Sequence, residues 1–331
     1  MSITIIPYSK ELEEKHIKFA SKYWTKRRRK DPNYIYWKFR GTPKEKLNSF
    51  ILAIHNDEVI GQLGIIPCNI NLEGEIYNAQ WACDLMVDRD FRGKNIASLL
   101  YDYAHKLNPI TLGSDPSPAA SKSMKKKGYK SLKGSWKHLF AIKIGEISKL
   151  KKINSSFLDS LYNPFYLFYL MINKFSNHHF EVINKKDYKN LITLQNKNKI
   201  SVCRDEKFIE WRFSPFEDFY LGIEIMQKKN TSIFYSGYFS GSTYIITDFN
   251  IKNIFGLLQI ISNIIQRFSS KGLLRIRFNN NSNLSKWLLF FGIIKFRTQT
   301  EIIYYTKNEV LNQKMANKSF YYTFMDSDEN I

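Results

Sequence analysis

The sequence predicts an α+β protein built from two related halves. Its 331 residues exceed the roughly 100–200 residues of a typical domain, so two domains are the natural expectation. Residues 31–39 read DPNYIYWKF and residues 205–213 read DEKFIEWRF, so that Asp, Ile, Trp and Phe recur in register. Strand-like and helix-like segments follow both stretches in the same order, which indicates a duplicated unit.

Each copy continues into a predicted β-hairpin and then into a strand that carries an acidic residue. The first hairpin is formed by residues 50–54 and 59–66, and the second by residues 220–226 and 232–239. The acidic strands are residues 81–87, with Asp84, and residues 245–251, with Asp248.

An amphipathic helix follows the acidic strand in both copies. Apolar residues recur at helical spacing, at positions 96, 99, 100, 103 and 107 and again at 257, 261, 264, 265 and 268. Both copies then finish with a strand, a helix and a glycine pair, Gly128-Tyr129 or Gly292-Ile293. The second copy is six residues shorter between strand and helix, where the first reads DRDFRG at residues 88–93. We therefore expect only the first copy to perform the function of that loop.

The composition favours a folded protein in a reducing compartment. Apolar residues make up 44% of the chain, and its 25 Phe and 20 Tyr differ from the aromatic-poor composition of disordered chains. Cys68, Cys83 and Cys203 form no CxxC pair, so neither a disulfide framework nor a zinc site is predicted. The N-terminal sequence lacks the features of a signal peptide, which predicts a cytoplasmic protein. The longest apolar stretch, residues 163–172, is about half of the ~20 residues that span a bilayer, which predicts a buried or interfacial helix. Peripheral membrane contact is the less favoured alternative.

The net charge of +20 attracts anions such as nucleic acids, anionic lipids or phosphorylated small molecules. An equally weighted explanation is compositional, because the chain is rich in Lys, Asn and Ile. Two runs concentrate the charge, KRRRK at residues 26–30 and KKK at residues 125–127. Nucleic acid is the least favoured partner, because these runs lack the interleaved aromatic residues of a single-strand-binding platform.

The strongest local signal is the segment VDRDFRGKNIA at residues 87–97, where a predicted strand turns directly into a helix. A helix N-terminus offers unpaired N–H groups and a partial positive charge, which together bind phosphate. Gly93, Asn95 and Ala97 are small or turn-tolerant and would let a pyrophosphate approach the backbone, while Arg92 and Lys94 add charge. The segment therefore predicts a phosphate-binding loop.

The pattern Arg92-x-x-Asn95-x-Ala97 resembles the (Arg/Gln)-x-x-Gly-x-(Gly/Ala) loop of the GNAT superfamily of N-acetyltransferases, which binds the pyrophosphate of acetyl-CoA. The strand with Asp84 is similar to that family's fourth strand, whose backbone pairs with the pantetheine arm. The resemblance implies two GNAT-type domains, each a twisted, mixed, mainly antiparallel sheet flanked by helices. Their expected bounds are residues 1–147 for the acyl-CoA-binding domain, 148–180 for an aromatic-rich linker and 181–331 for a degenerate copy.

By this resemblance, acetyl-CoA or another acyl-CoA is the co-substrate. The residues expected to bind it are Leu85, Met86 and Val87 along the strand, and Arg92, Gly93, Lys94, Asn95, Ile96 and Ala97 in the loop. Asn95 stands where Gly is usual, but Asn is the non-glycine residue that best tolerates a positive φ. Met124 stands where the family has a tyrosine general acid, and it has no proton to donate. Tyr129 is our candidate for that role, with Tyr101, a water, or a step without a strong acid as alternatives.

Asp84 is the candidate general base for the attacking amine. An equally weighted alternative is a structural carboxylate, which Asp248 favours because it preserves the acid in the copy without the loop. Ser114, Asp115 and Ser117 follow the fifth strand and are candidate contacts for the acceptor. No metal is predicted, because the histidines have no ligand spacing.

These observations predict an acyl-CoA-dependent N-acyltransferase that acts on a primary amine. The basic runs favour an anionic small-molecule acceptor, and the resemblance to tandem GNAT proteins implies a nucleotide-linked amino sugar of bacterial surface-polysaccharide biosynthesis. Two alternatives stay open: a tRNA-dependent aminoacyl transferase of the peptidoglycan-precursor type, and a non-catalytic module that binds CoA or another ligand. The sequence leaves the oligomeric state undetermined.

Overall fold

The computed structural model of the chain describes residues 2–24, 30–43, 45–142, 156–175, 179–184, 187–188, 200–213, 223–280 and 285–326. The basic run at residues 26–29 lies outside the described residues. The helices are α1 (Glu13–Ser21), α2 (Pro32–Lys38), α3 (Ile96–Ala104), α4 (Pro118–Lys126), α5 (Ser156–Phe175), α6 (Glu206–Phe213), α7 (Ile254–Phe268), α8 (Ser285–Leu288) and α9 (Glu309–Met315). None of the described helices is long and apolar enough to cross a membrane.

The strands join into one mixed, mainly antiparallel sheet, which confirms the predicted fold class. They are β1 (Thr4–Tyr8), β2 (Leu47–His55), β3 (Glu58–Leu72), β4 (Glu75–Val87), β5 (Ile110–Ser114), β6 (Lys130–Ala141), β7 (Phe180–Val182), β8 (Ile200–Val202), β9 (Glu224–Lys228), β10 (Phe234–Ser240), β11 (Thr243–Asn250), β12 (Arg275–Asn280), β13 (Ile293–Tyr305) and β14 (Phe320–Tyr321). The main path runs β1-β2-β3-β4-β5-β13-β6-β12-β11-β10-β9-β7. The parallel pairs are β4 with β5, β11 with β12, and β8 with β14.

The order of the strands is symmetric about the β13–β6 pair at its centre. Strand β13, near the end of the chain, lies between β5 and β6, and strand β6 lies between β13 and β12. Outward from this pair, the strands on one side are β5, β4, β3, β2 and β1. They correspond in position to β12, β11, β10, β9 and β7 on the other side. Each set of strands is therefore completed by a strand from the other part of the chain. The domain bounds at residues 147 and 181 stay predictions.

The two copies of the Asp-Ile-Trp-Phe motif form equivalent helices that pack against each other. The carboxylates of Asp31 and Asp205 accept hydrogen bonds from Asn33 N and Phe208 N, each at the first turn of a helix. Such caps satisfy N–H groups that the helix itself leaves unpaired. Trp211 Nε1 donates to Trp37 O at 2.9 Å, and the two indole rings are 6.2 Å apart. The motif therefore joins α2 to α6.

Apolar clusters cover both faces of the sheet. In β13, neighbouring residues Ile302 and Ile303 are both fully buried but belong to different clusters, as expected when successive side chains of a strand point to opposite faces. The cluster of Ile302 contains residues of α2 and α6, and that of Ile303 contains residues of α3. This arrangement places α3 and α2 on opposite sides of β4, the strand that carries Asp84.

Candidate functional site

A wedge opens between β4 and β5 beside the predicted phosphate loop. Strand β4 pairs with β3 up to Val87, but its parallel pairing with β5 covers only residues 79–81, opposite residues 110–112. Leu85, Met86 and Val87 lie beyond that pairing, on the diverging end of β4. The sequence predicts that this backbone segment receives an extended ligand. The structure leaves it without β5 as a neighbour at that place.

Asp84 sits at a β-bulge in this strand. Its φ is +51°, and the β3–β4 register shifts between Gln62 and Gly64. The Asp84 carboxylate lies 2.7 Å from Lys38 Nζ; the Lys38 side chain is 0% exposed and that of Asp84 is 10% exposed. A positive φ is costly for a residue other than glycine, so the bulge is held by tertiary contacts. The Lys38 ion pair is one of these.

A buried polar chain supports the same bulge. Gln62 Nε2 donates to Asp84 O at 3.2 Å, and His16 Nε2 lies 3.0 Å from Gln62 Oε1. Burial lowers the pKa of His16 to about 4, against a weaker raising effect of the hydrogen bond to Gln62. His16 is therefore neutral at physiological pH and can orient the Gln62 amide.

The loop between β4 and α3 leaves the N-terminus of α3 accessible to an anion. Gly93 and Asn95 both have positive φ, 82° and 63°. Asn95 adopts the left-handed conformation as the helix begins, and its side chain makes no capping hydrogen bond. The first N–H groups of α3 are therefore left for a ligand or water. The predicted tolerance of Asn95 for positive φ agrees with this geometry.

A cavity of about 560 Å³ joins this loop to α4. It is lined by Val87, Phe91, Arg92, Gly93, Asn95, Ile96, Ala97 and Ser98, and by Ala119, Lys122, Ser123, Lys126 and Lys127 of α4 and its C-terminus. Arg92 and the three lysines bring four cationic side chains to one concave site. Lys94 lies instead over the Phe91 ring, with Nζ 4.7 Å from its centroid.

The α4 lysines are a part of the site that sequence reasoning missed. A run of lysines is typical of a solvated helix face, and Lys125 of the run at residues 125–127 does pair with Glu301 outside the cavity. Lys122 and Lys126, four residues apart, share one face of α4 and line the cavity together. The sequence signal for this face was the four-residue spacing of the two lysines, which places them on the same side of a helix. Contact with residues 92–98 depends on the tertiary packing of α3 and α4.

Tyr129, the candidate general acid, lies in the core between α3, α4 and the sheet. It is 4% exposed, and its hydroxyl is 2.9 Å from His105 Nε2. Burial raises the pKa of Tyr129 well above its ordinary value. A weaker, enclosed acid is less suited to protonating a thiolate, although the role stays a prediction. Met124 is also buried. It packs so closely against Gly113 that a Cβ on that glycine would come within 2.8 Å of Met124 Cε.

The candidate acceptor residues all have interactions within the protein. Asp115 Oδ1 accepts a hydrogen bond from Glu301 N at 2.8 Å, and its carboxylate pairs with Lys137. Ser117 Oγ caps α4 by accepting from Ala120 N at 3.3 Å. Ser114 pairs with Ile302 in the β5–β13 ladder. These residues shape the end of β5 beside the wedge, and acceptor contact by them stays a prediction. The described residues contain no cluster of His, Cys, Asp and Glu that could hold a metal ion.

Residues 4–107 match the family model of the acetyltransferase (GNAT) domain. This part of the chain therefore carries a GNAT acetyltransferase domain. The matched residues include the diverging strand, the Asp84 bulge and the loop that ends in Asn95. The GNAT assignment made from the loop pattern is thereby confirmed.

Solved structures share the fold of nearly the whole chain at low sequence identity. A GCN5-related N-acetyltransferase from Kribbella flavida is 12% identical with a TM-score of 0.60, over 92% of this chain and 71% of that one. A probable N-acyltransferase from Enterococcus faecalis is 10% identical with a TM-score of 0.61, over 96% and 75%. Saccharomyces cerevisiae N-myristoyltransferase, solved with myristoyl-CoA, is 10% identical with a TM-score of 0.59, over 92% and 78%. No curated protein matches the chain.

Proposed function

We propose that the chain binds an acyl-CoA, acetyl-CoA in the simplest case, at the α3–α4 cavity and transfers its acyl group to a primary amine. The cavity carries this proposal, because it combines an uncapped helix N-terminus with Arg92 and the α4 lysines. A Cβ on Gly93 would meet no described atom within 4 Å, so the loop backbone has room for a pyrophosphate. The site therefore fits a large, multiply charged anion.

The diverging end of β4 suits the elongated part of the same ligand. The backbone groups of Leu85, Met86 and Val87 that face away from β3 lie past the last residue paired with β5, where a pantetheine amide would pair with them. The same backbone N–H groups would stabilise negative charge that develops on a thioester oxygen. Binding energy from the phosphates would position the reacting carbon at the wedge.

In the proposed reaction, the amine nitrogen forms a bond to the acyl carbon and the carbon–sulfur bond breaks. The bound thioester supplies an activated acyl group. Asp84, whose side chain is 10% exposed at the wedge, would accept the proton of the amine directly or through a water. Lys38 keeps that carboxylate oriented. The departing thiolate would take its proton from water, or from Tyr129 if the core opens around it.

The favoured acceptor is an anionic amino sugar, such as a nucleotide-linked one of surface-polysaccharide biosynthesis, in the cytoplasm. This assignment is supported by the net charge of +20 and by the GNAT resemblance. We propose that residues 181–331, as a degenerate GNAT copy, shape the acceptor side. The alternatives are transfer of an aminoacyl group from tRNA and ligand binding without catalysis.

Calorimetric titration with acetyl-CoA tests the donor site. We expect one site of micromolar strength, about −8 kcal/mol, that is lost in Arg92→Glu. Arg89→Glu is the matched control, because it makes the same charge change three residues away at an exposed position outside the cavity lining. No detectable binding by the unmodified chain, or equal loss in both variants, contradicts the donor site.

Turnover then separates an enzyme from a binding module. With a panel of amines including amino sugars, Asp84→Asn should lower kcat by at least about 100-fold, the lower range for a general base, while acetyl-CoA binding stays within a few-fold. If kcat is retained, Asp84 is a structural carboxylate. Tight acetyl-CoA binding without turnover of any amine favours the module, and salt-sensitive tRNA binding favours aminoacyl transfer.

A further inference from the structure

An apolar surface lies far along the chain from the acyl-CoA site, and we call it the outer aromatic patch. It consists of Leu167, Leu170 and Met171 of α5 together with Trp287, Leu289 and Phe290 of α8 and the turn that follows it. Trp287 is 62% exposed and Phe290 is 73% exposed. Large side chains of this kind are normally buried in a soluble domain, and their grouping marks an interaction site.

Direct packing joins the two segments of the patch. Tyr169 Oη donates to Phe291 O at 3.0 Å, and the Phe168 and Phe291 rings stack with centroids 6.0 Å apart. Phe165 lies so close to Gly292 that a Cβ there would come within 2.7 Å of its ring. The exposed residues of α5 and those at positions 287–290 therefore flank one shared contact.

The chain segments that carry the patch are rich in basic residues. Residues 249–300 contain eight Lys and Arg and no Asp or Glu, and residues 161–180 also lack acidic residues. Lys174 is exposed on α5, three and four residues beyond Met171 and Leu170, which places it on the same stripe of the helix. Lys271 and Lys295 are exposed as well.

We propose that the outer aromatic patch docks on the surface of an anionic membrane. Exposed Trp, Phe and Leu side chains can enter the boundary between headgroups and acyl chains, while surrounding cations are attracted to anionic lipids. Charge complementarity selects this occupant over a second copy of the chain, since two molecules of net charge +20 repel each other. The patch is separate from the residues assigned to acyl transfer, so docking is independent of the proposed activity.

Vesicle flotation of the full chain tests docking. We expect binding to phosphatidylcholine vesicles that contain about one quarter phosphatidylglycerol, weak binding to phosphatidylcholine alone, and release by about 0.5 M salt. The double variant Trp287→Glu/Phe290→Glu should bind at least about ten-fold more weakly. Ile76→Glu is the control, because Ile76 is 67% exposed at the β3–β4 hairpin and lies outside the patch.

Equal vesicle binding by the double variant and the control would overturn the proposal, as would the absence of binding to anionic vesicles. Circular dichroism and acetyl-CoA titration should match the unmodified chain in every variant, because the changed residues are exposed and outside the cavity. Sedimentation analysis adds a separate outcome. If the unmodified chain dimerises and the double variant is monomeric, the patch is a self-association surface and membrane docking is rejected.

Discussion

The two connections from strand to helix show how the halves of the molecule differ. In the N-terminal half, eight residues (88–95) separate β4 from α3, whereas three residues (251–253) separate β11 from α7. Asn95 makes no side-chain cap, but Asn253 accepts a hydrogen bond from Gly256 N at 3.2 Å. An asparagine begins both helices, and only the asparagine of the second helix caps it with its side chain. The shorter loop thus carries an internal cap where the longer loop carries the proposed anion site.

The acidic residues of the two strands also differ, because the C-terminal one is more enclosed than the N-terminal one. Asp84 has Lys38 and remains 10% exposed, whereas Asp248 is 2% exposed and receives hydrogen bonds from Arg204 and Tyr188. Arg204 also donates to Asp326 at 3.0 Å. Burial alone would lower the pKa of Arg204, but the carboxylates of Asp248 and Asp326 raise it above its usual value. An ion pair holds the acid in both halves, and the N-terminal acid is the more exposed of the two.

The largest expected effect comes from breaking the enclosed pair. Arg204→Met leaves two buried carboxylates without their cation and should cost about 3–5 kcal/mol in the free energy of unfolding. Lys38→Met should cost about 1–3 kcal/mol, because water can reach the Asp84 carboxylate. Urea unfolding measures both, with exposed Lys207→Met as the control expected to change little. Equal losses at positions 38 and 204 would remove the contrast between the two acids.

The second largest expected effect is a loss of stability at acid pH, which arises in the N-terminal half from His16. The pKa of His16 is about 4 when folded and about 6.5 when unfolded, so between these values the unfolded chain binds a proton that the folded chain does not. This contribution to stability is complete above pH 6.5 and is lost as the pH falls towards 4. We expect a loss of about 2 kcal/mol between pH 8 and pH 5.

Unfolding of His16→Gln across the same pH range measures the His16 contribution. The variant should show a flatter pH dependence than the unmodified chain, because glutamine can donate to Gln62 without titrating. Hydrogen exchange should locate the acid-sensitive opening around Gln62 and the Asp84 bulge. Identical pH profiles for variant and unmodified chain exclude this role of His16.

The smallest expected effect concerns the two helix-initiating asparagines. Asn95→Ala should cost about 1 kcal/mol, because alanine tolerates the left-handed conformation less well, whereas Asn95→Gly should cost nothing. Asn253→Ala should also cost about 1 kcal/mol, but through loss of its side-chain cap. Acetyl-CoA titration separates the two positions, since only Asn95→Ala should weaken binding. Weaker binding in Asn253→Ala would show that the halves are not independent at this site.

Local chemistry explains how much of the site was predictable. The strand, the loop at residues 88–95 and the helix follow from apolar periodicity and turn residues, and the left-handed Asn95 follows from the requirements of the loop. Lys38 was not predicted as the partner of Asp84, because 46 residues separate them and the helix that carries Lys38 reads as a core element. Lys122 was missed because its place beside residues 92–98 depends on how α4 packs against α3. Contacts between distant segments leave no periodic signal.

The sequence by itself determined the duplicated order of elements, the GNAT loop and the loss of that loop in the second copy, because each depends on local spacing. The tertiary structure alone decided that β13 and β6 lie between the two sets of strands, that Lys38 pairs with Asp84 and that Arg204 encloses Asp248. Strand pairing and ion pairing of this kind are selected by burial and by hydrogen bonds across the assembled sheet. Many registers satisfy the same local pattern, and only the packed molecule distinguishes them.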